Sequence, residues 1–150
     1  MDNRTKTINF MSQDFSKRIS IVVNKELASW QFSNTVAHIA AFLGNKMTDS
    51  FDTGKYFKSK DGILYPRNSQ YPIITFSASE GELKNLSEKV RVSGLLYLAY
   101  VREMIDFTDD AELELALEKK SNSEIELLGI GIFGDNQVLK ELTKKFSLWK

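Results

Sequence analysis

The side chains with the clearest chemical potential lie on one predicted helix, residues 27–43. Asn34 and His38 are four positions apart, and at about 100° per residue both point to the same side of a helix. Gln31 and Thr35 fall on that side as well, so the four polar groups share a face about 100° wide. A histidine among amides and hydroxyls can bind a carbonyl or an anion, and it can serve as a general acid or base.

The helix that carries these groups has no charged residue. Residues 27–45 are nineteen uncharged positions in a chain that is 27% charged, where about five charges would be expected. A solvated helix face normally holds some charges, so we expect the polar stripe to line a cleft or a subunit interface, or to form a buried network. In the structural alternative, Asn34 and His38 only bond to neighbouring backbone.

Further polar side chains are predicted beside this stripe. Asp106 is predicted to follow the third strand, at the carboxyl edge where α/β folds bind ligands. Asp106 could orient His38 in an ester hydrolysis, or it could instead cap the helix that begins near Asp109. Lys25, after the first strand, could bind an anion or simply face solvent.

The predicted ligand-binding residues are Lys25, Gln31, Asn34, Thr35, His38, Asp106 and Thr108. If the protein is a hydrolase, the predicted catalytic residues are His38 and Asp106. The free N–H groups at the start of the helix favour a small anionic or carbonyl-bearing ligand. His38→Ala should then change ligand binding more than it changes stability.

Two other patterns have simpler interpretations. Gly129-x-Gly131-x-x-Gly134 has the spacing of a dinucleotide fingerprint, but a lone match is weak and here it coincides with a predicted final strand. The glutamates at 112, 114 and 118 are typical of the solvated side of an amphipathic helix. The chain has no cysteine and one histidine, which excludes disulfides and multi-histidine metal sites, so no metal or cofactor is predicted.

Composition limits the partners. The chain has 150 residues, is 42% hydrophobic, and carries 20 basic and 20 acidic side chains, so no general attraction to nucleic acid is expected. Neither a signal peptide nor an apolar stretch long enough to span a membrane is visible, and we expect a cytoplasmic protein.

The elements that must position these groups alternate between strand and helix. The predicted strands are 18–24, 73–78, a stretch within 95–105, 125–133 and 146–149, and the predicted helices are 27–43, 80–93, 111–119 and 138–145. A small hairpin is predicted around residues 60–62. This pattern predicts a three-layer α/β/α domain over residues 18–150, with a mixed, mostly parallel sheet of four or more strands in which 18–24 and 125–133 are central. Residues 1–17 are predicted to form a loosely attached arm.

Three segments, in order, resemble the type II peptidyl-tRNA hydrolases. They are residues 22–27 with the alanine-rich stretch around His38, residues 80–106, and residues 129–149. The resemblance spans roughly residues 18–150 and implies the fold of those hydrolases.

The chain is more closely similar to an uncharacterised bacterial family, number two thousand among the domains of unknown function. The pattern that carries this similarity is Asn34 and His38 on the first helix, Asp106-Phe107-Thr108 in the centre, and a C-terminal region of Gly, Leu and Thr. Membership implies a three-layer fold similar to those hydrolases and a homodimer, without an established activity.

The departures from the hydrolase pattern fall in the site. The Gly-Lys pair at the start of the hydrolases' first helix is replaced by 29–32, Ser-Trp-Gln-Phe, and the arginine after their aspartate is replaced in Phe107-Thr108-Asp109. A site without these cations would hold an RNA backbone poorly. We therefore predict a small-ligand-binding module without peptidyl-tRNA hydrolase activity. The alternatives are an esterase-like hydrolase of aminoacyl or peptidyl esters, and a structural or regulatory dimer.

Overall fold

The computed structural model describes residues 13–48 and 56–150. Most of the predicted arm, residues 1–12, lies outside the described residues. The remainder of the arm leads directly into the domain, because the Asp14 N–H donates to the Gln70 carbonyl at 2.8 Å and the first strand already begins at Lys17.

A five-stranded sheet forms the centre of the domain. Its strands are β1 (Lys17–Asn24), β4 (Ile73–Ala78), β5 (Leu96–Val101), β6 (Leu127–Asp135) and β7 (Ser147–Leu148), in the order β5-β6-β1-β4-β7. Both β1 and β6 are flanked by strands on each side, as their continuous apolar sequences predict. Two short strands, β2 (Phe57–Lys58) and β3 (Leu64–Tyr65), pair separately as the predicted hairpin, with Gly62 at φ 88° in its turn.

The sheet is mixed, as predicted, but the prediction that it is mostly parallel was wrong. Only β1 and β4 pair in parallel; β1 with β6, β4 with β7, and β5 with β6 are antiparallel. The direction of β6 follows from its connection to β5, because the chain leaves and re-enters the sheet at the same end of the strands. Val101 pairs with Leu127, and the Arg102 N–H donates to the Glu126 carbonyl at 3.1 Å. Neighbouring strands that are connected at the same end of the sheet run antiparallel.

Helices cover both faces of the sheet, which gives the predicted three layers. One face is covered by α1 (Ser29–Met47). The other is covered by α2 (Glu80–Arg91) and α5 (Asn136–Thr143). Two smaller helices, α3 (Arg102–Asp106) and α4 (Asp110–Glu118), lie in the connection from β5 to β6.

The helix α1 ends later than its glycine suggests. The predicted helix ends at residue 43, just before Gly44, but α1 continues to Met47. The extra turn forms because Met47 extends the buried row of Ile39 and Leu43. The helix α2 begins at Glu80, as predicted. Ser79 accepts from the Glu82 N–H, and the Glu82 carboxylate accepts from the Ser79 N–H, which forms a capping box.

Glycines in β6 allow α1 to lie close against the sheet. A Cβ at Gly131 would lie 2.0 Å from the Ile39 Cγ2, and one at Gly129 would lie 2.9 Å from the Thr35 Cγ2. The G-x-G-x-x-G spacing is therefore explained by packing, since these glycines lie beneath helix side chains.

Candidate functional site

A cavity of about 580 Å³ lies beside α1, over the carboxyl end of β5. The residues that line it from α1 and β5 are Trp30, Asn34, His38, Phe42, Leu98 and Tyr100. The rest of the lining comes from α3, α4 and the link between them: Met104, Ile105, Phe107, Thr108, Asp110 and Leu113. The volume lies in the range of ordinary small-molecule sites.

Four lining residues form a ladder along one side of α1. Trp30, Asn34, His38 and Phe42 follow each other at intervals of four, which places one side chain on each successive turn, about 6 Å apart along the helix axis. An amide and an imidazole thus lie between two large aromatic rings. Trp30 is 62% exposed, so the ladder begins at the solvent-facing end of the cavity.

Tyr100 of β5 holds the middle of this ladder in place. Its hydroxyl donates to the Asn34 Oδ1 at 3.0 Å, and its ring stacks on His38 with centroids 5.3 Å apart and planes 18° from parallel. Burial raises the pKa of the Tyr100 phenol above its ordinary value, so the hydroxyl remains a donor at neutral pH. Within the described residues the Asn34 amide nitrogen and the His38 ring nitrogens bond to no other group, and they remain free for a ligand.

Two residues of the predicted stripe do not line the cavity. Thr35 is fully buried against the sheet, with its methyl over Gly129, and belongs to the same buried row as Ile39. Gln31 closes the start of α1, where its Oε1 accepts from the Ala28 N–H at 3.0 Å. The structure therefore brings Asn34 and His38 to the cavity and gives the other two a structural contact.

The predicted residues outside α1 also separate. Thr108 lines the cavity, whereas Lys25 and Asp106 do not. Lys25 is exposed just after the end of β1. Two hydrogen bonds from Ser79 lower the pKa of Glu82, and the charge of Lys25 lowers it further.

Asp106 differs most from its predicted setting. We expected it to follow a strand, but β5 ends at Val101 and Asp106 is the exposed last residue of α3. Its charge acts on Arg102 and Lys120, and within the described residues no hydrogen bond joins it to His38. The structural alternative for Asp106 was also wrong, because Asp109 caps α4 by accepting from the Ala111 and Glu112 N–H groups.

Ion pairs hold α3 at the end of the sheet. Arg102 donates to both carboxylate oxygens of Glu126, at 3.0 and 2.9 Å, which raises the pKa of Arg102 and lowers that of Glu126. On the next residue, the buried Glu103 Oε1 accepts from Lys120 Nζ at 2.5 Å. These pairs fix the helix that presents Met104 and Ile105 to the cavity.

Comparison with known proteins places the chain in a family. The profile of the family described as Protein of unknown function (DUF2000) matches residues 17–150. The chain belongs to the DUF2000 family. Among solved structures, the chain is similar to a protein of unknown function from Agrobacterium tumefaciens strain C58, with 19% identity, a TM-score of 0.78, and coverage of 91% of this chain and 100% of that one. At this identity the likeness shows the fold alone. No curated protein matches the chain.

The cavity of this DUF2000 protein includes residues that sequence reasoning missed. Tyr100 reads as one more apolar residue of a strand, and a tryptophan at the start of a helix such as Trp30 is typical of a packing residue. Asp110 was not singled out, because its place at the cavity depends on the turn from α3 into α4. The spacing of Trp30 to Asn34 was the one available signal, since it equals the spacing of Asn34 to His38.

Two kinds of site find no support in the part of the chain that is described. Within residues 13–48 and 56–150, no three acidic, histidine or cysteine side chains converge as metal ligands. Over the same residues, no helix has the length and apolar character needed to cross a bilayer.

Proposed function

We propose that this DUF2000 protein is a small-ligand-binding module whose site is the cavity beside α1. The observation that carries the proposal is the Asn34–Tyr100–His38 arrangement, which directs free hydrogen-bonding groups into an aromatic-lined space of about 580 Å³. Binding sites are typically concave and mostly apolar, with a few convergent polar groups that fix the ligand's orientation. Residues 29–45 of α1 are uncharged, which agrees with this role, because the polar side of the helix faces a cavity.

The hydrolase alternative is less well supported. A general base needs a partner that sets its tautomer and charge, and His38 has an aromatic neighbour instead of the predicted Asp106. The protein should therefore release no peptide from peptidyl-tRNA at a useful rate. A purified sample that turned over this substrate with kcat of about 1 s⁻¹, the lower end of ordinary enzymes, would contradict this expectation.

The remaining parts of the proposal depend on resemblance. We propose a fold relationship with the type II peptidyl-tRNA hydrolases, because three segments between residues 18 and 150 resemble theirs and occur in the same order along the chain. The family resemblance also favours a homodimer, and we propose from the sequence that the protein acts in the cytoplasm. Sedimentation equilibrium tests the dimer, since a single species at about 17 kDa over the micromolar range would contradict it.

A blocking substitution tests the module directly. Thr108 is exposed and lines the cavity, so Thr108→Trp should fill part of the space without disturbing the core. Glu118→Trp is the matched control, because Glu118 is exposed on α4 outside the lining. Amide NMR spectra with pooled metabolites should show shifts at Asn34 and Tyr100 in the wild type and the control, and none in Thr108→Trp. Binding that survives Thr108→Trp, or binding of nothing at all, would contradict the proposed site.

A further inference from the structure

We infer that the cavity accepts a flat aromatic molecule that carries an uncharged amide or ring carbonyl, and that it rejects the corresponding carboxylate. This inference rests on the proposed binding function and names the class of ligand. Three independent features of the lining carry it: the shape of its aromatic surfaces, the hydrogen bonds it leaves open, and its charge.

The aromatic surfaces favour a flat ligand. The His38 ring covers the buried Tyr100 ring almost in parallel, and His38 is itself exposed, so its outer surface faces the open space. Trp30 lies two turns before His38 on the same side of α1. A planar ring can lie against such surfaces with offset stacking, which is worth about 0.5–1.5 kcal/mol beyond area burial for an aromatic pair.

The open hydrogen bonds favour an amide or a lactam. Because Tyr100 donates to the Asn34 oxygen, the Asn34 amide nitrogen is left as a donor that a ligand carbonyl can satisfy. Asp110 also lines the cavity, and its carboxylate is an acceptor for a ligand N–H. A carbonyl next to an N–H provides both partners in one group.

The charge of the lining disfavours an anion. Asp110 is acidic, and no lysine or arginine lines the cavity in the described parts of the chain. Lys46, whose Nζ lies 5.7 Å over the ring of Phe42, is outside the lining. The N-terminus of α4 does not offset Asp110, because the Asp109 carboxylate already accepts from its free N–H groups. Of the anionic and carbonyl-bearing ligands that the sequence predicts, the lining therefore favours the carbonyl-bearing one.

Three small probes of similar size separate these features. Benzamide has the ring and the neutral amide, benzoate replaces the amide by a carboxylate, and cyclohexanecarboxamide replaces the flat ring. We expect benzamide to shift the amide NMR signals of Asn34 and Tyr100 with a Kd on the order of 1 mM. The other two probes should bind at least about tenfold more weakly. Benzoate or cyclohexanecarboxamide binding as tightly as benzamide would overturn the inference.

Matched variants connect the preference to the lining. Asp110→Asn should reduce the ratio of the benzamide affinity to the benzoate affinity by about threefold to tenfold, because it removes the carboxylate of the described lining. Asp109→Asn is the control, since it removes the same charge one residue away, outside the lining, and asparagine still caps a helix. Asn34→Asp keeps the acceptor for Tyr100 and removes the amide donor, so benzamide should bind about tenfold more weakly. Equal ratios in the two charge variants, or unchanged benzamide binding in Asn34→Asp, would overturn the inference.

Failure of the inference can be told from failure of the proposed function. One outcome is that the three probes do not bind, but a pooled metabolite binds the wild type and not Thr108→Trp. In that case the inferred ligand class is wrong and the proposed binding function is supported. If neither the probes nor the metabolites shift the lining signals, both proposals are wrong.

Discussion

The two faces of the sheet are built differently. The face under α2 and α5, which we term the closed face, is filled by aliphatic side chains such as Val22, Ile130 and Leu83. The face under α1, which we term the cavity face, combines aliphatic packing along β1 with glycines in β6 and Tyr100 near the end of β5. Both faces bury apolar surface, and among the described residues the space of about 580 Å³ next to polar groups lies on the cavity face.

The difference shows how one helix can close a core and line a site. Gly131 lets α1 sit against the middle of the sheet, where Ile39 and Leu43 are fully buried. The next side of the same helix then faces β5 and α3, and carries Asn34 and His38. Stability and binding are thus assigned to adjacent sides of α1, so they should respond to different substitutions.

Truncation of a leucine should produce the largest single effect, and the loss should differ between the two faces. Leu83 is fully buried on the closed face, so Leu83→Ala should reduce the free energy of unfolding by about 3 kcal/mol through lost transfer energy and a new cavity. Leu98 is only partly buried and borders an existing cavity, so Leu98→Ala should cost about 1 kcal/mol. Urea unfolding of both variants provides the comparison. Equal losses would mean that the cavity face is packed as tightly as the closed one.

A methyl group at Gly131 should have the next largest effect. Its Cβ would lie 2.0 Å from Ile39, a contact that only movement of α1 can relieve, and Gly131→Ala should therefore destabilise by about 2–3 kcal/mol. Gly44→Ala is the control within α1, because nothing lies near its added Cβ, and it should stabilise by about 0.5–1 kcal/mol. Chemical unfolding of the pair measures both. If Gly131→Ala kept wild-type stability, the close packing of α1 on β6 would not be required.

Sequence patterns predicted the layers because these depend on local periodicity. The apolar runs of β1 and β6 identified internal strands, and the interval from Asn34 to His38 identified the side of α1 that faces the cavity. The predicted stripe was too broad, because Gln31 and Thr35 do not line the cavity. Thr35 lies about 100° from Asn34, and its small side chain is accommodated over Gly129 on the buried side.

The rest of the site depends on contacts that periodicity does not contain. The third strand was predicted within residues 95–105 without a defined end, and the chain turns into α3 after Val101, where Arg102 and the buried Glu103 pair with Glu126 and Lys120. These partners are 17 to 24 residues away in sequence. The turn carries Asp106 away from His38 and brings Asp110 to the cavity.

Removal of one tyrosine hydroxyl from each face should sharpen the comparison further. Tyr100→Phe deletes the bond to Asn34 and should cost about 1 kcal/mol, with a larger effect on ligand binding because Asn34 is no longer held. Tyr97 lies on the closed face, and its hydroxyl has no partner within the described residues, so Tyr97→Phe should leave stability unchanged within about 0.5 kcal/mol. Thermal unfolding and benzamide titration of both variants test this. Equal effects in the two variants would show that the Asn34 bond has no special role.

The smallest effect is expected from acid, and it should also distinguish the faces. Hydrogen bonds from Arg102, followed by its charge, lower the pKa of Glu126 below its ordinary value of 4.5. A carboxyl whose folded pKa is depressed contributes stability above its unfolded pKa, and that contribution is lost as the pH falls through the folded value. The pair should therefore weaken below about pH 4.5. Because Glu126 is 41% exposed, the effect should be only about 0.5 kcal/mol.

Glu126→Gln should remove this part of the acid dependence. Since Arg102 anchors α3, amide exchange in α3 should accelerate between pH 5 and about pH 3.5 relative to α2, which is held by aliphatic packing, and the variant should show the faster α3 exchange already at pH 5. Arg102→Gln should have the same effect, and the double variant should add nothing to either single one, because both changes break one interaction. Additive effects, or equal acceleration in α2, would show that the ion pair does not hold the cavity wall.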